Sequence, residues 1–216
     1  MNKKELLKEK IKNLQKKLPL QVIPRETLLP IDSGKIITVC GVRRAGKTCI
    51  LYNTINRLLK KGIKSEQILF LSFDDERLNF NTDEYDLILQ AYRELFPNIH
   101  LNNVYIFFDE IQTENNWEQF VRRIYDSETK NIFLSGSNSK MLASDIATSL
   151  RGRTLQYEIF PLSFSEYCSF KGLEKELYYT KSATKLLNAS KDFIRLGSFP
   201  EISISSYNKL DINSIL

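Results

Sequence analysis

Apolar residues fall into short clusters whose spacing alternates between two periods along the chain. Leu6, Leu7, Ile11 and Leu14 recur at steps of three and four, which predicts an amphipathic helix at the N-terminus. A loop around Pro24 and Pro30 leads to Lys35–Cys40, a β-branched run that stops at Gly41 and reads as a buried strand. From Lys47 to Lys61, Leu51, Ile55, Leu58 and Leu59 share one helical face. Lys60, Lys61 and Gly62 then supply last-turn cations and a glycine stop. Further strands are predicted at Ile68–Phe73, Val104–Phe108, Asn131–Ser135 and Thr154–Phe160. Helical periods lie between them at Glu84–Phe96, halted by Pro97, and from Trp117 through Tyr125, with another helix expected at Lys140–Leu150. Such alternation predicts an α/β fold, a mainly parallel five-stranded sheet with helices on both faces in a three-layer sandwich, preceded by an N-terminal helix.

Composition narrows this picture. With 42% hydrophobic residues in 216, an ordinary core can form. The longest apolar runs fall far short of the roughly 20 residues of a membrane-spanning helix, and no apolar stretch follows the first lysines, as a secretory signal would require. Cys40, Cys49 and Cys168 are too scattered for a disulfide framework or a zinc site. His100, the only histidine, leaves no material for the usual Ser/His/Asp triads. A reduced, cytoplasmic protein is expected. Residues 1–17 hold seven lysines and two glutamates, which accounts for the whole net charge of +5. The lysines are therefore expected to form a solvated face, and nucleic acid to bind weakly and non-specifically at most.

The chemistry concentrates in Gly41-Val42-Arg43-Arg44-Ala45-Gly46-Lys47-Thr48, a full G-x-x-x-x-G-K-[ST] match set between a predicted strand and a predicted helix. Glycines let backbone N–H groups curl around a phosphate, and the helix N-terminus adds partial positive charge. Lys47 is placed to reach the β- and γ-phosphates and Thr48 to ligate Mg²⁺; Cys49 completes the nucleotide-contacting stretch. Val104–Phe108 then ends in Asp109 and Glu110. A carboxylate at the end of so apolar a strand needs a partner. Mg²⁺ would be the partner of Asp109, and Glu110 is assigned to activate the attacking water. The sequence Asp109-Glu110-Ile111-Gln112 lacks the glycine of the D-x-x-G pattern of GTPases. The N-K-x-D at Asn208-Lys209-Leu210-Asp211 lies too near the chain end to read guanine, so adenine is preferred. Leu134-Ser135-Gly136-Ser137-Asn138 offers Ser135 or Ser137 as a group touching the γ-phosphate or the water. Arg151 and Arg153 offer a guanidinium for the developing charge, from this chain or from a neighbour. Asp74, Asp75 and Glu76 are expected to cap a loop or helix start.

With these segments in view, the chain resembles the predicted prokaryotic ATPases of the AAA superfamily, close to the signal-transducing STAND ATPases and often joined to a restriction-endonuclease-like C-terminal domain. Carrying the resemblance are Gly41–Thr48 with its two arginines, Val104–Gln112 followed by Trp117, Leu134–Asn138, Leu150–Arg153, Pro161–Glu166 and Gly197–Glu201. It implies a five-stranded AAA core with ATP and Mg²⁺ as cofactors, and makes Arg153 most like the family's arginine finger. Family members run on beyond the segment matched here, so the nuclease-like function is not carried over.

The expectation is a Mg²⁺-dependent ATPase with Glu110, Lys47, Arg153 and Ser135 as catalytic residues, Gly41 to Cys49 on the nucleotide, and Thr48 with Asp109 on the metal. Three segments are expected: a basic helix and linker (1–30), the ATPase core (31–170) and a helical extension (171–216). Partners would be ATP or ADP and a second copy or another protein exchanging an arginine, with no membrane. A slowly turning-over, nucleotide-controlled interaction switch is the alternative, and a small-molecule phosphotransferase a third reading that Glu110 argues against.

Overall fold

A computed structural model describes residues 2–137, 150–173 and 180–204. Helix α1 (Lys3–Lys16) precedes a βα alternation: β1 (Ile36–Gly41), α2 (Lys47–Lys60), β2 (Ile68–Ser72), α3 (Asp86–Leu95), β3 (Tyr105–Asp109), α4 (Trp117–Ser127), β4 (Ile132–Ser137) and β5 (Thr154–Ile159). The five strands form one parallel sheet in the order β2-β3-β4-β1-β5. Register pairs Ser72 with Asp109, Phe107 with Phe133 and Gly41 with Ser137. Each of these strand and helix bounds lies within about two residues of its predicted place, and the sheet is parallel throughout. The predicted helix at 140–150 and the motif at 208–211 lie outside the described residues.

Strand periodicity divides the core. Leu69, Leu71, Ile106, Phe108, Ile132 and Leu134 point to the face covered by α1, α3 and α4. The alternate residues Phe107 and Phe133 stack on each other, ring centroids 4.7 Å apart, and Phe70 meets Tyr52 of α2 at 5.3 Å. Both faces being covered explains why the strands read as continuous apolar runs with little alternation.

Contacts group the chain into two units, one of residues 1–41 with 47–158 and one of 42–46 with 159–216. This grouping differs from the three segments read from the sequence. Helix α1 belongs to the first unit because Leu6, Leu7 and Ile11 are buried in the same core as β2 and α3. In the second unit, helices Phe164–Phe170 and Thr180–Leu196 pack through Leu162, Tyr167 and Ala189, and Leu162 N–H donates to Ser198 O at 2.7 Å.

The lysines of α1 are not simply solvated. Lys3 pairs with Glu84, Lys4 and Lys8 with Glu94, and Lys10 with Asp75. The periodicity placed them correctly opposite the apolar stripe, but it could not show that α3 and the loop after β2 carry matching acids. Asp75 also caps the 3-10 turn Glu76–Leu78 by accepting from Arg77 N–H, the capping role expected of this acidic run.

These pairs give α1 a pH dependence. Arg77 and Lys10 hold the Asp75 carboxyl well below its usual range. The Asn81 N–H and Lys3 lower Glu84, and Lys4 and Lys8 lower Glu94. Carboxyls depressed in the folded state stabilise it above their unfolded pKa, about 4, and lose that contribution as pH falls below it. Amide-exchange protection of α1, corrected for intrinsic rates, should therefore fall between about pH 5 and 3 before the central strands lose theirs. Equal protection of α1 across that interval would show that Leu6, Leu7 and Ile11 hold the helix without the charges.

Candidate active site

The strand ends assemble the site. β1 finishes at Gly41 and α2 begins at Lys47, so the intervening loop delivers two functional side chains to the first turn of a helix. Gly46 has φ 94° and Arg44 φ 65°; the first needs glycine's freedom, and the second places a bulky residue where L side chains are strained. Within that loop Ala45 N–H donates to Val42 O, Val42 and Arg43 are exposed, and the Arg44 guanidinium lies 3.8 Å from Glu201.

Thr48 and Asp109 touch. The Thr48 hydroxyl lies 2.9 Å from Asp109 Oδ2 and 3.2 Å from Oδ1. Asp109 is 3% exposed. Burial pushes its carboxyl up, an effect opposed by the bonds that Ser135 and Thr48 donate. Lys47 is also buried; its ammonium donates to Gly41 O at 3.1 Å and sits 3.4 Å from Glu110 Oε1. The two oppositely charged groups expected to face a nucleotide face each other here, which satisfies a desolvated ammonium.

Glu110 occupies the left-handed region, φ 53° and ψ 37°. For a residue with a side chain this costs about 1 kcal/mol, and four hydrogen bonds hold it there. Its N–H donates to Ser135 Oγ at 3.1 Å, its carbonyl accepts from Thr113 N–H and Oγ1, and its Oε2 accepts from Gln112 Nε2 at 2.5 Å.

One expectation is corrected by this geometry, and one left open is narrowed. Ser135 was read as touching phosphate or water. Its side chain is fully buried, and its hydroxyl donates to Asp109 Oδ1 while accepting from Glu110 N–H. It braces the two acids from beneath because it precedes the strand end by two residues. Ser137, at the end of β4, is in register with Gly41. Arg153 is not brought to the site of its own chain. Its backbone carbonyl accepts from Ile36 N–H at the start of β1, and its guanidinium pairs with Asp126 at 3.2 Å. Five residues of parallel strand separate Ile36 from Gly41, about 16 Å. The sequence located Arg153 before a strand but held no information on which end of the sheet that strand starts from. Arg151 is exposed.

Sequence reading passed over Gln112, whose signal was its spacing of two from Glu110 on a tight turn. Cys40 and Cys168 are buried and unbridged, and Cys49 is exposed and unbridged, on the residue after Thr48. Among the described residues no three His, Cys, Asp or Glu side chains gather as a metal cage, and no helix is long and apolar enough to cross a membrane.

Ser135→Ala removes a donor to one acid and an acceptor from the other's backbone, leaving a buried N–H and carboxylate oxygen unmatched. Urea unfolding should show a loss of about 1–3 kcal/mol, and a loss under about 0.5 kcal/mol would mean that the Asp109–Glu110 turn is held by other contacts.

A protein of Methanocaldococcus jannaschii, Uncharacterized protein MJ1544, is 41% identical over 94% of this chain and 44% of its own length. An uncharacterized protein of Haemophilus influenzae is 31% identical over 79% of this chain and 41% of its own. The chain thus spans less than half the length of these relatives. Among solved structures, the ADP complex of Hsp104 from S. cerevisiae superposes with a TM-score of 0.52 at 10% identity, covering 94% of this chain and 32% of that one, a likeness of fold alone. The family model described as AAA domain matches residues 33–168, from the start of β1 past β5; the chain belongs to the AAA domain family.

Proposed function

We propose that the chain binds Mg·ATP through Gly41 to Cys49 and hydrolyses it with Glu110. The observation that carries this reading is the contact of Thr48 with Asp109, beside a buried Lys47 already neutralised by Glu110. A helix N-terminus, a buried ammonium and a hydroxyl–carboxylate pair are the complement of a triphosphate and its cation. The donor set also suits Mg²⁺. A hydroxyl and one carboxylate, both hard oxygen donors, leave most positions to water and phosphate, the usual manner of holding this ion, and a desolvated Asp109 gains from a nearby cation. When bound, the ion would neutralise charge on the β- and γ-phosphates.

Entry of the nucleotide has a defined consequence for this chain's side chains. Lys47 exchanges the Glu110 carboxylate for phosphate oxygens, and Glu110, released from that pair, accepts a proton from water. Arg153 lies at the far end of β1 from Gly41 in its own chain, so its reach to a γ-phosphate requires a second copy, which is our reading of its role. That requirement favours, as a second reading, a nucleotide-controlled switch with slow turnover when alone, in keeping with the resemblance to signal-transducing ATPases. Nucleic-acid binding has little support, since Lys3, Lys4, Lys8, Lys10, Arg122 and Arg123 are engaged by acids of the same chain.

Lys47→Ala should weaken ATP binding by about 1.5–3 kcal/mol, the worth of a charge-assisted contact, read by calorimetry. Glu110→Gln should bind ATP at least as well as the wild type and release phosphate at least about 100-fold more slowly. Phosphate release at the wild-type rate from the glutamine variant would remove Glu110 from its assigned role.

A further inference from the structure

The side chain of Gln112 is half used. Its Nε2 donates to Glu110 Oε2 at 2.5 Å, while its Oε1 is buried and has no hydrogen-bond partner. Exchanging the amide's two ends does not resolve this. It would set a carbonyl oxygen against the carboxylate and bury an unmatched N–H₂ in its place. A buried acceptor without a donor is destabilising, so the orphan oxygen marks a place where a donor belongs. Gln112 stands two residues beyond Glu110, within the 3-10 turn Ile111–Thr113 that the strained Glu110 introduces. The carboxylate is thus fixed from two sides, by Lys47 on Oε1 and by Gln112 on Oε2.

Hydrolysis of a phosphoanhydride needs a water with one lone pair toward the γ-phosphorus, which requires an acceptor for each of its hydrogens. One carboxylate oxygen supplies a single acceptor; an orphan carbonyl held to that same carboxylate supplies the second. We propose that Gln112 completes the water site: its Nε2 positions Glu110 and its Oε1 accepts the second hydrogen of the attacking water. The inference rests on the hydrolytic role given to Glu110 above. In the step it serves, the water oxygen bonds to the γ-phosphorus as the bond to the β,γ-bridging oxygen breaks. The first hydrogen passes to Glu110 as a proton, and ADP leaves with the electron pair of the broken bond. Gln112 gives up and gains no proton; it fixes direction. Lys47 changes partner when phosphate arrives, whereas the bond from Gln112 involves neither lysine nor phosphate and persists, so Glu110 keeps its orientation as its other tether is lost.

Four variants and one spectrum test this. Gln112→Met preserves length and packing but removes both functions. It should bind ATP within about threefold of the wild type while phosphate release falls about 10- to 100-fold, as misorientation of a reactant does. Gln112→Glu keeps acceptors but sets a second carboxylate against Glu110, and should fall at least as far. In the nucleotide-free protein, one side-chain amide proton of Gln112 should resonate far downfield, as a short bond to a carboxylate requires, and return to the ordinary position in Glu110→Ala. Wild-type turnover by Gln112→Met, with Glu110→Gln inactive, would overturn this proposal and leave the hydrolytic reading standing. Undiminished turnover by Glu110→Gln would overturn both. An ordinary Gln112 amide shift, unmoved in Glu110→Ala, would overturn the positioning half whatever the rates.

Discussion

A single buried carboxylate organises the C-terminal edge of the sheet. Asp109 ends β3 between Ser72 and the β4 chain, shut off from water, with its charge disfavoured by burial. Such a group persists only where donors converge on it. Thr48 from α2 and Ser135 from β4 provide them, so the requirement of one side chain ties three elements together. Ser135 also receives the Glu110 N–H, which holds that residue in the left-handed region. The backbone turns so that Asp109 meets Thr48 and Glu110 meets Lys47. Two adjacent acids thereby acquire different partners, and with them different chemistry.

Separate ends of the strands serve separate purposes. Parallel strands place every C-terminus on one edge, and a site with contributions from β1, β3 and β4 follows from the order β2-β3-β4-β1-β5 with little further design. The same rule sends Arg153, just before β5, to the other edge, where Asp126 engages it. The chain's own fold therefore gathers Lys47, Thr48, Asp109 and Glu110 at one edge of the sheet and leaves Arg153 at the other. Under the proposed function, that division gives a second copy a part in turnover.

Most of the sheet and the residues gathered at its strand ends were legible in the sequence because they rest on local signals. A β-branched run before Gly41, a G-K-T at a helix start and two acids closing an apolar strand each declare themselves within a few residues. What escaped depends on pairing between distant segments. The acids opposite the α1 lysines lie on α3 and after β2, some 65 to 90 positions away. The hydroxyl of Ser135 is a brace because β4 lies beside β3 in a register that no periodicity encodes. Gln112 became informative only once its two ends could be told apart, one bonded and one orphaned.

The account turns on Thr48 and Asp109 forming a shared point for a cation that accompanies the triphosphate. Calorimetric titration of ATP with Mg²⁺, and with a chelator in its place, into wild-type and Asp109→Asn protein tests this most directly. ATP should bind the wild type at least about tenfold more tightly when Mg²⁺ is present, and the asparagine variant should lose most of that difference while still binding ATP. Equal affinity of the wild type with and without Mg²⁺, or an undiminished Mg²⁺ effect in the variant, would contradict the assignment.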